Sequence, residues 1–171
     1  MTIHDLGTDE YGAYYESYIQ SNPNLGLLKC LASTKEEFLE LLNSISEEKF
    51  RFSYAEGKWS LAELFQHVID AERVFQYRAM RFARNDKTPL PGFEQDGYVT
   101  ASRANEKSIE NLRFEFTSVR DATIALFSTL NEEELQRIGI ASDTNFSVRA
   151  LGFIISGHQL HHQKIVRERY L

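Results

Sequence analysis

Four stretches of this chain repeat apolar residues at intervals of three and four, the period of a helix that buries one face. The first covers about residues 24–45 and carries Leu27, Leu28, Leu31, Phe38, Leu41, Leu42 and Ile45. The second opens at Ser60, where Ser60 and Glu63 make an S-x-x-E capping box and Trp59 and Leu64 are placed to staple it. Its stripe is Leu61, Leu64, Phe65, Val68, Phe75, Ala79 and Phe82, and it ends near Arg84. The third covers about 104–130 through Ile109, Leu112, Phe116, Val119, Thr123, Leu126 and Phe127. The fourth runs from a Ser147 cap to the terminus with Val148, Leu151, Ile154, Ile155, Ile165 and Val166. Two connections, residues 85–103 and 131–146, are longer than a simple bundle needs, and RIGIASDTNF in the second has room for a short extended piece. The pattern predicts an all-α fold, a four-helix bundle with long crossover loops, in a single domain of 171 residues.

Composition narrows the function classes. A net charge of −6 argues against a nucleic-acid partner, which calls for a basic face. A single cysteine, Cys30, leaves no intramolecular disulfide, as suits a reducing compartment. The opening MTIHDLGTDEYG lacks the apolar core of a signal peptide, and no window is apolar enough to enter a membrane. A cytoplasmic protein is the expectation.

The chemistry-bearing stretch is GHQLHH, residues 157–162. On a helical wheel centred on His158, the stripe residues Leu151, Ile154, Ile155 and Ile165 fall within about 60° on either side. His162 lies at about +40°, inside that stripe, and His161 at about −60°, on its edge. Two imidazoles stacked one turn apart on a buried face must each satisfy a ring N–H and a lone pair. A shared divalent ion meets that demand; a pair of hydrogen-bonded core histidines is the alternative. The zinc-protease motif H-E-x-x-H has the same spacing, but here Gln159 stands where its glutamate base would be, and an amide cannot take that proton. His67 is the other histidine inside a predicted helix, roughly 115° from the centre of its stripe, so it lies either on a second contact face or at the surface. His4 falls in the polar N-terminal region. Glu72 sits near the stripe centre of the second helix. Its options are a fourth ligand, an acceptor for an imidazole N–H, or a partner for Arg78 or Arg169, the last being expected.

Three motifs in order, KWSLAELFQHVIDAERVFQYRAMRF, PLPGFEQDGYV and GHQLHHQKIVRERYL, resemble the DinB-like (DinB/YfiT-like) superfamily over a core of about residues 24–171. The resemblance implies a four-helix bundle holding a divalent metal ion, zinc or nickel, on three histidines. One comes from a W-S-x-x-E-x-x-x-H context, matched by Trp59, Ser60, Glu63 and His67. The other two come from an H-x-x-x-H on the last helix, matched by His158 and His162. It also implies that the GFEQDGYV loop, with Asp96 and Tyr98, lies near the metal; a loop that only crosses the bundle end is the alternative. Relatives of this family include thiol S-transferases, so the implied function is a metal-dependent S-transferase acting on a small-molecule thiol and an electrophile. The competing reading is a non-catalytic, metal-stabilised bundle with a stress-response or homodimer role, in which the first helix and EYGAYYESYI supply the partner surface; ordinary packing is the alternative for those aromatic residues.

Overall fold

Local capping sets the helix boundaries in the computed structural model, which describes residues 1–171. The chain forms α1 (Glu16–Gln20), α2 (Leu27–Asn43), α3 (Glu47–Phe50), α4 (Leu61–Ala83), α5 (Gln95–Ser102), α6 (Ile109–Ser128) and α7 (Glu132–Gln136). There follow β1 (Ile138–Ala141), β2 (Thr144–Ser147) and α8 (Val148–Ile165), which ends in a π-helical turn, Val166–Tyr170. The Ser60 hydroxyl accepts from the Glu63 amide at 3.2 Å, and the Glu63 carboxylate accepts from the Ser60 amide at 2.8 Å. This is the reciprocal capping box that the sequence predicts for α4. Ser147 likewise caps α8 through the Ala150 amide at 3.0 Å. α6 starts later than its periodicity suggests, because Ser108 and Asn111 form their own box and residues 104–106 are a separate 3₁₀ turn.

The long helices α2, α4, α6 and α8 form the bundle, with α4 and α2 each packed against both α8 and α6. Cross-contacts give the directions. Gln66 and Glu72 of α4 meet Glu115 and Arg120 of α6 in the same order, so these neighbours run parallel. α2 and α8 are also parallel, since Leu27 lies by Gly152 and Thr34 by Gln159. α4 and α8 are antiparallel: His67 meets His162, and Phe75 meets His158. Parallel neighbours cannot be joined by a tight turn. Residues 84–108 therefore cross the length of the bundle, and that is why this connection is long. The extended piece in the second connection is an antiparallel hairpin turning at Ser142 and Asp143, both with left-handed φ (50° and 56°), the backbone of a two-residue type I′ turn. Leu90 of the crossover joins this hairpin by hydrogen bonds to Ile140 and Ser142.

The core is two apolar clusters, one around Phe75, Phe82, Phe146 and Phe153 and the other around Phe38, Phe65 and Phe116. A polar layer crosses the bundle where they meet. Arg120 of α6 is fully buried, and all five of its donors are used. Nε and Nη2 donate to the two Glu72 oxygens at 2.7 and 2.8 Å, Nη1 to the Leu31 carbonyl and Thr34 hydroxyl, and Nη2 also to Gln159. Thr123 donates to Glu72 at 2.8 Å, and Gln159 donates to the Thr34 carbonyl at 2.6 Å. This corrects the expected partner of Glu72. Arg169 is exposed, and Arg78 turns the other way, to Pro91 and Ser142. Arg120 sits four residues after Phe116 and three before Thr123, within the α6 stripe, so its inward position was readable but its partner was not.

One further expectation changes: Leu28, assigned to the α2 stripe, is exposed. Of the two roles open to the tyrosine-rich segment, it takes that of ordinary packing: Ile19, Tyr11 and Tyr18 are buried, α1 packs on α8, and Tyr14 alone of the four tyrosines is exposed. The N-terminal segment before residue 24 thus belongs to the packed core as well. No helix is long and apolar enough to cross a membrane.

Candidate metal centre

α8 brings His158 and His162 to one face a turn apart, and antiparallel α4 brings His67 opposite them. The Nε2 atom of His158 lies 3.2 Å from that of His67 and 3.1 Å from that of His162. All three ligand atoms fall within 4.8 Å of one another. Donors on a tetrahedral ion with metal–nitrogen bonds of about 2.0–2.1 Å stand about 3.3–3.4 Å apart, so the spacing fits. Three neutral imidazoles facing one point cannot all be satisfied by N–H···N bonds, and an all-nitrogen triangle suits a divalent metal ion.

Burial enforces neutrality. It pulls the His67 pKa down to about 4, against a small opposing pull from the Asp96 charge. It pulls that of His162 down to about 3, helped by His67 and His161, and that of His158 well below its ordinary value. Neutral imidazole is the metal-binding form, so the site stands ready for a cation at neutral pH. A stability consequence follows for the metal-free protein. The folded values lie below the unfolded value of about 6.5, so unfolding takes up protons as the pH falls. Stability is full above pH 6.5 and is lost as the pH drops towards 4 for His67 and 3 for His162. Urea midpoints of metal-free protein should show roughly 1.4 kcal/mol lost per buried imidazole by pH 5.5. A variant lacking His67 and His162 should show a flatter profile.

Aromatic rings wall the triad. Trp59 lies 4.9 Å from His67, Tyr18 lies 5.4 Å from His158, and Phe75 lies 6.0 Å from His158, measured between ring centres. The Trp59 carbonyl accepts from the Tyr170 hydroxyl at 2.6 Å, tying the terminal turn to this wall. Gly157 explains the first letter of GHQLHH. A Cβ there would lie 1.9 Å from the Tyr18 carbonyl oxygen, so only glycine lets α1 sit on α8 with Tyr18 over the site. Asn22 fastens the contact by donating to the Phe153 carbonyl at 2.9 Å. Gly157→Ala should lower stability by about 1–3 kcal/mol through this overlap, despite alanine's better helix propensity. A thermal melt checks the loss, and faster amide hydrogen exchange within residues 16–22 would report the displaced α1.

The triad opens into a cleft of about 570 Å³ whose other walls include Tyr15, Tyr18, Phe75, Arg78, Phe93 and Glu94. His161 also lines it, exposed and packed 5.2 Å from the Tyr18 ring, with its nitrogens outside the converging trio. His67 is 4% exposed, which removes the surface alternative. Asp96 is exposed on the outside but borders a second cleft of about 330 Å³ that reaches His162 beside Trp59 and Tyr170. Tyr98 packs 5.4 Å from the Phe93 ring, behind the cleft wall, and faces an outer groove with Asp70 and Arg73 rather than the triad. Glu72 is held by Arg120 and does not join the three nitrogens. Gly92, Phe93, Glu94 and Gln95 of the GFEQDGYV loop line the cleft, the loop that the resemblance puts near the metal. Tyr15, Tyr18 and Arg78 escaped the sequence reading as cleft residues, because α1 and the outer end of α4 meet at the site only through packing.

The fold and sequence have known counterparts. YfiT from Bacillus subtilis, described provisionally as a metal-dependent hydrolase with an unusual four-helix bundle topology, superposes with a TM-score of 0.73. It covers 83% of this chain and 85% of its own at 12% identity, which shows a shared fold. A DinB-like protein of Bacillus subtilis, YjoA, aligns with a TM-score of 0.59 at 20% identity, covering 83% of this chain and 90% of its own. A protein of Oceanobacillus iheyensis, described provisionally as a metal-dependent hydrolase, is 25% identical over 140 residues, 79% of this chain and 78% of its own. Residues 31–166 match the family model of the DinB superfamily, and the chain belongs to that superfamily.

Proposed function

We propose that this chain is a metal-dependent enzyme whose ion is held by His67, His158 and His162 and whose reaction is hydrolysis. The observation that carries it is the convergence of three Nε2 atoms, 3.1 and 3.2 Å apart, on the floor of an open cleft. Three protein ligands with one open side are the arrangement of a catalytic rather than a structural site. Zinc and nickel both fit an all-imidazole donor set. When bound, such an ion supplies a Lewis acid that brings the pKa of a water or thiol ligand towards neutrality.

The remaining work belongs to the chain. Burial keeps the three imidazoles neutral, and Trp59, Phe75 and Tyr18 hold their rings and exclude bulk water. Two similar proteins carry the description of metal-dependent hydrolases, which supports water as the nucleophile. The second reading is S-transfer from a low-molecular-weight thiol. The cleft favours it, since about 570 Å³ is room for a drug-sized ligand, enough for a thiol together with an electrophile.

The test is to load untagged protein with zinc or nickel and assay both reactions, ester and amide hydrolysis and thiol addition to an aryl halide. Metal-dependent hydrolysis without added thiol supports the first reading, and turnover only with thiol supports the second. Activity equal with and without metal sinks both. No turnover, together with a melting temperature that collapses on chelation, would mark a metal-stabilised bundle instead.

A further inference from the structure

Two arginines are buried to about 2% or less, and they are provided for differently. Arg120 has the Glu72 carboxylate and a full set of acceptors. Arg78 forms no ion pair. Its Nη2 donates to the Pro91 carbonyl at 3.1 Å and the Ser142 hydroxyl at 2.9 Å, and the Tyr15 phenol lies beside it. Its guanidinium carbon lies 5.9 Å from the Phe75 ring centre and 6.0 Å from that of Phe93, between two aromatic walls. Phe75 in turn lies 6.0 Å from the His158 ring, so the cation and the imidazole triad share one cleft. An unpaired buried charge is costly, and a fixed guanidinium facing a cavity is a recognition device for a planar anion. The turn residue beside it points the same way. Ser142 holds a left-handed φ of 50°, where glycine or asparagine would fold the turn with less strain but would not present this hydroxyl.

We propose that Arg78, with Ser142 and Tyr15, binds a carboxylate of the substrate. The substrate class is then a small carboxylic acid whose reacting group reaches the imidazole triad while its carboxylate rests on Arg78. One cation matched to one negative charge favours a carboxylate over a phosphate dianion. This inference rests on the metal-enzyme reading for the reacting end, whereas the anion end stands on Arg78 alone. Arg78 acts here as a specificity residue and touches no reacting atom.

The experiment uses cobalt(II)-loaded full-length protein and two thiols that differ at the far end, 3-mercaptopropionate and 3-mercapto-1-propanol. Binding is read from the thiolate-to-cobalt absorption band. Wild type should bind the carboxylate thiol roughly ten- to a hundredfold tighter than the alcohol. Arg78→Gln should bring the ratio close to one, and Arg78→Lys should restore part of it. No preference in wild type overturns the proposal. So does an Arg78→Gln variant that keeps the wild-type ratio, or that weakens both thiols equally, since Arg78 would then only fasten the crossover to the hairpin. The anion end is read separately in metal-free protein by titrating propionate and following the Arg78 Nε–H resonance by NMR. A saturable shift supports the proposal and its absence overturns it. Failure to take up one equivalent of cobalt instead sinks the metal-centre reading and leaves the propionate result to decide the inference.

Discussion

His158→Ala is expected to abolish retention of the metal, while His161→Ala leaves it in place. His158 is the common neighbour of the triad, with its Nε2 within 3.2 Å of both partners, so its loss leaves two nitrogens that no longer close a triangle. Substituting a group that merely supports a ligand typically weakens metal affinity 10- to 100-fold, so removing the central ligand should exceed about a hundredfold. His161 differs from His158 by three positions and shares the same helix end, yet its ring leans on Tyr18 and its nitrogens lie outside the cluster. Elemental analysis after dialysis against a weak chelator separates the two variants, and equal metal content would refute the assignment.

Arg120→Ala should be the most damaging single substitution to the fold. It removes five hydrogen bonds and leaves the Glu72 carboxylate buried with only the Thr123 hydroxyl. Breaking a buried pair on one side costs about 3–5 kcal/mol, a large share of the 5–15 kcal/mol that holds a typical domain together. The double variant Arg120→Met, Glu72→Met should recover much of that loss, since both charges leave together and the neighbouring clusters are apolar. Denaturant midpoints of the two single variants and the double give the coupling directly. If Arg120→Ala proved milder than the double, the polar layer would not be the hinge of stability inferred from its hydrogen bonds.

The two predictions concern the imidazole triad, two of whose members lie on α8, and the polar layer that Gln159 of α8 joins, and they show how differently sequence speaks about each. His158 and His162 are local facts: an i, i+4 pair on an apolar stripe must share a face whatever the rest of the chain does. Gln159 is also local in placing, but its role is not. It donates to Thr34 and accepts from Arg120 across the bundle, and no periodicity says which helix an inward polar residue will meet. The same gap explains why Glu72 was matched with Arg78 or Arg169. The charges were visible, but the order of helices around the bundle was not.

The four amphipathic helices, their Ser60 and Ser147 caps and the inward pair on α8 are legible from local pattern, and the place of His67 from family resemblance. These follow from spacings of three and four and from capping side chains that act within a single turn. The remaining features came from how the helices pack. The parallel pairing of α4 with α6 brought Arg120 to Glu72, and the docking of α1 over Gly157 put Tyr18 on the site. The meeting of the crossover with the hairpin set Arg78 beside the imidazoles. Each joins residues far apart in the chain, and such contacts are selected by the packing of whole helices against one another, which no local pattern encodes.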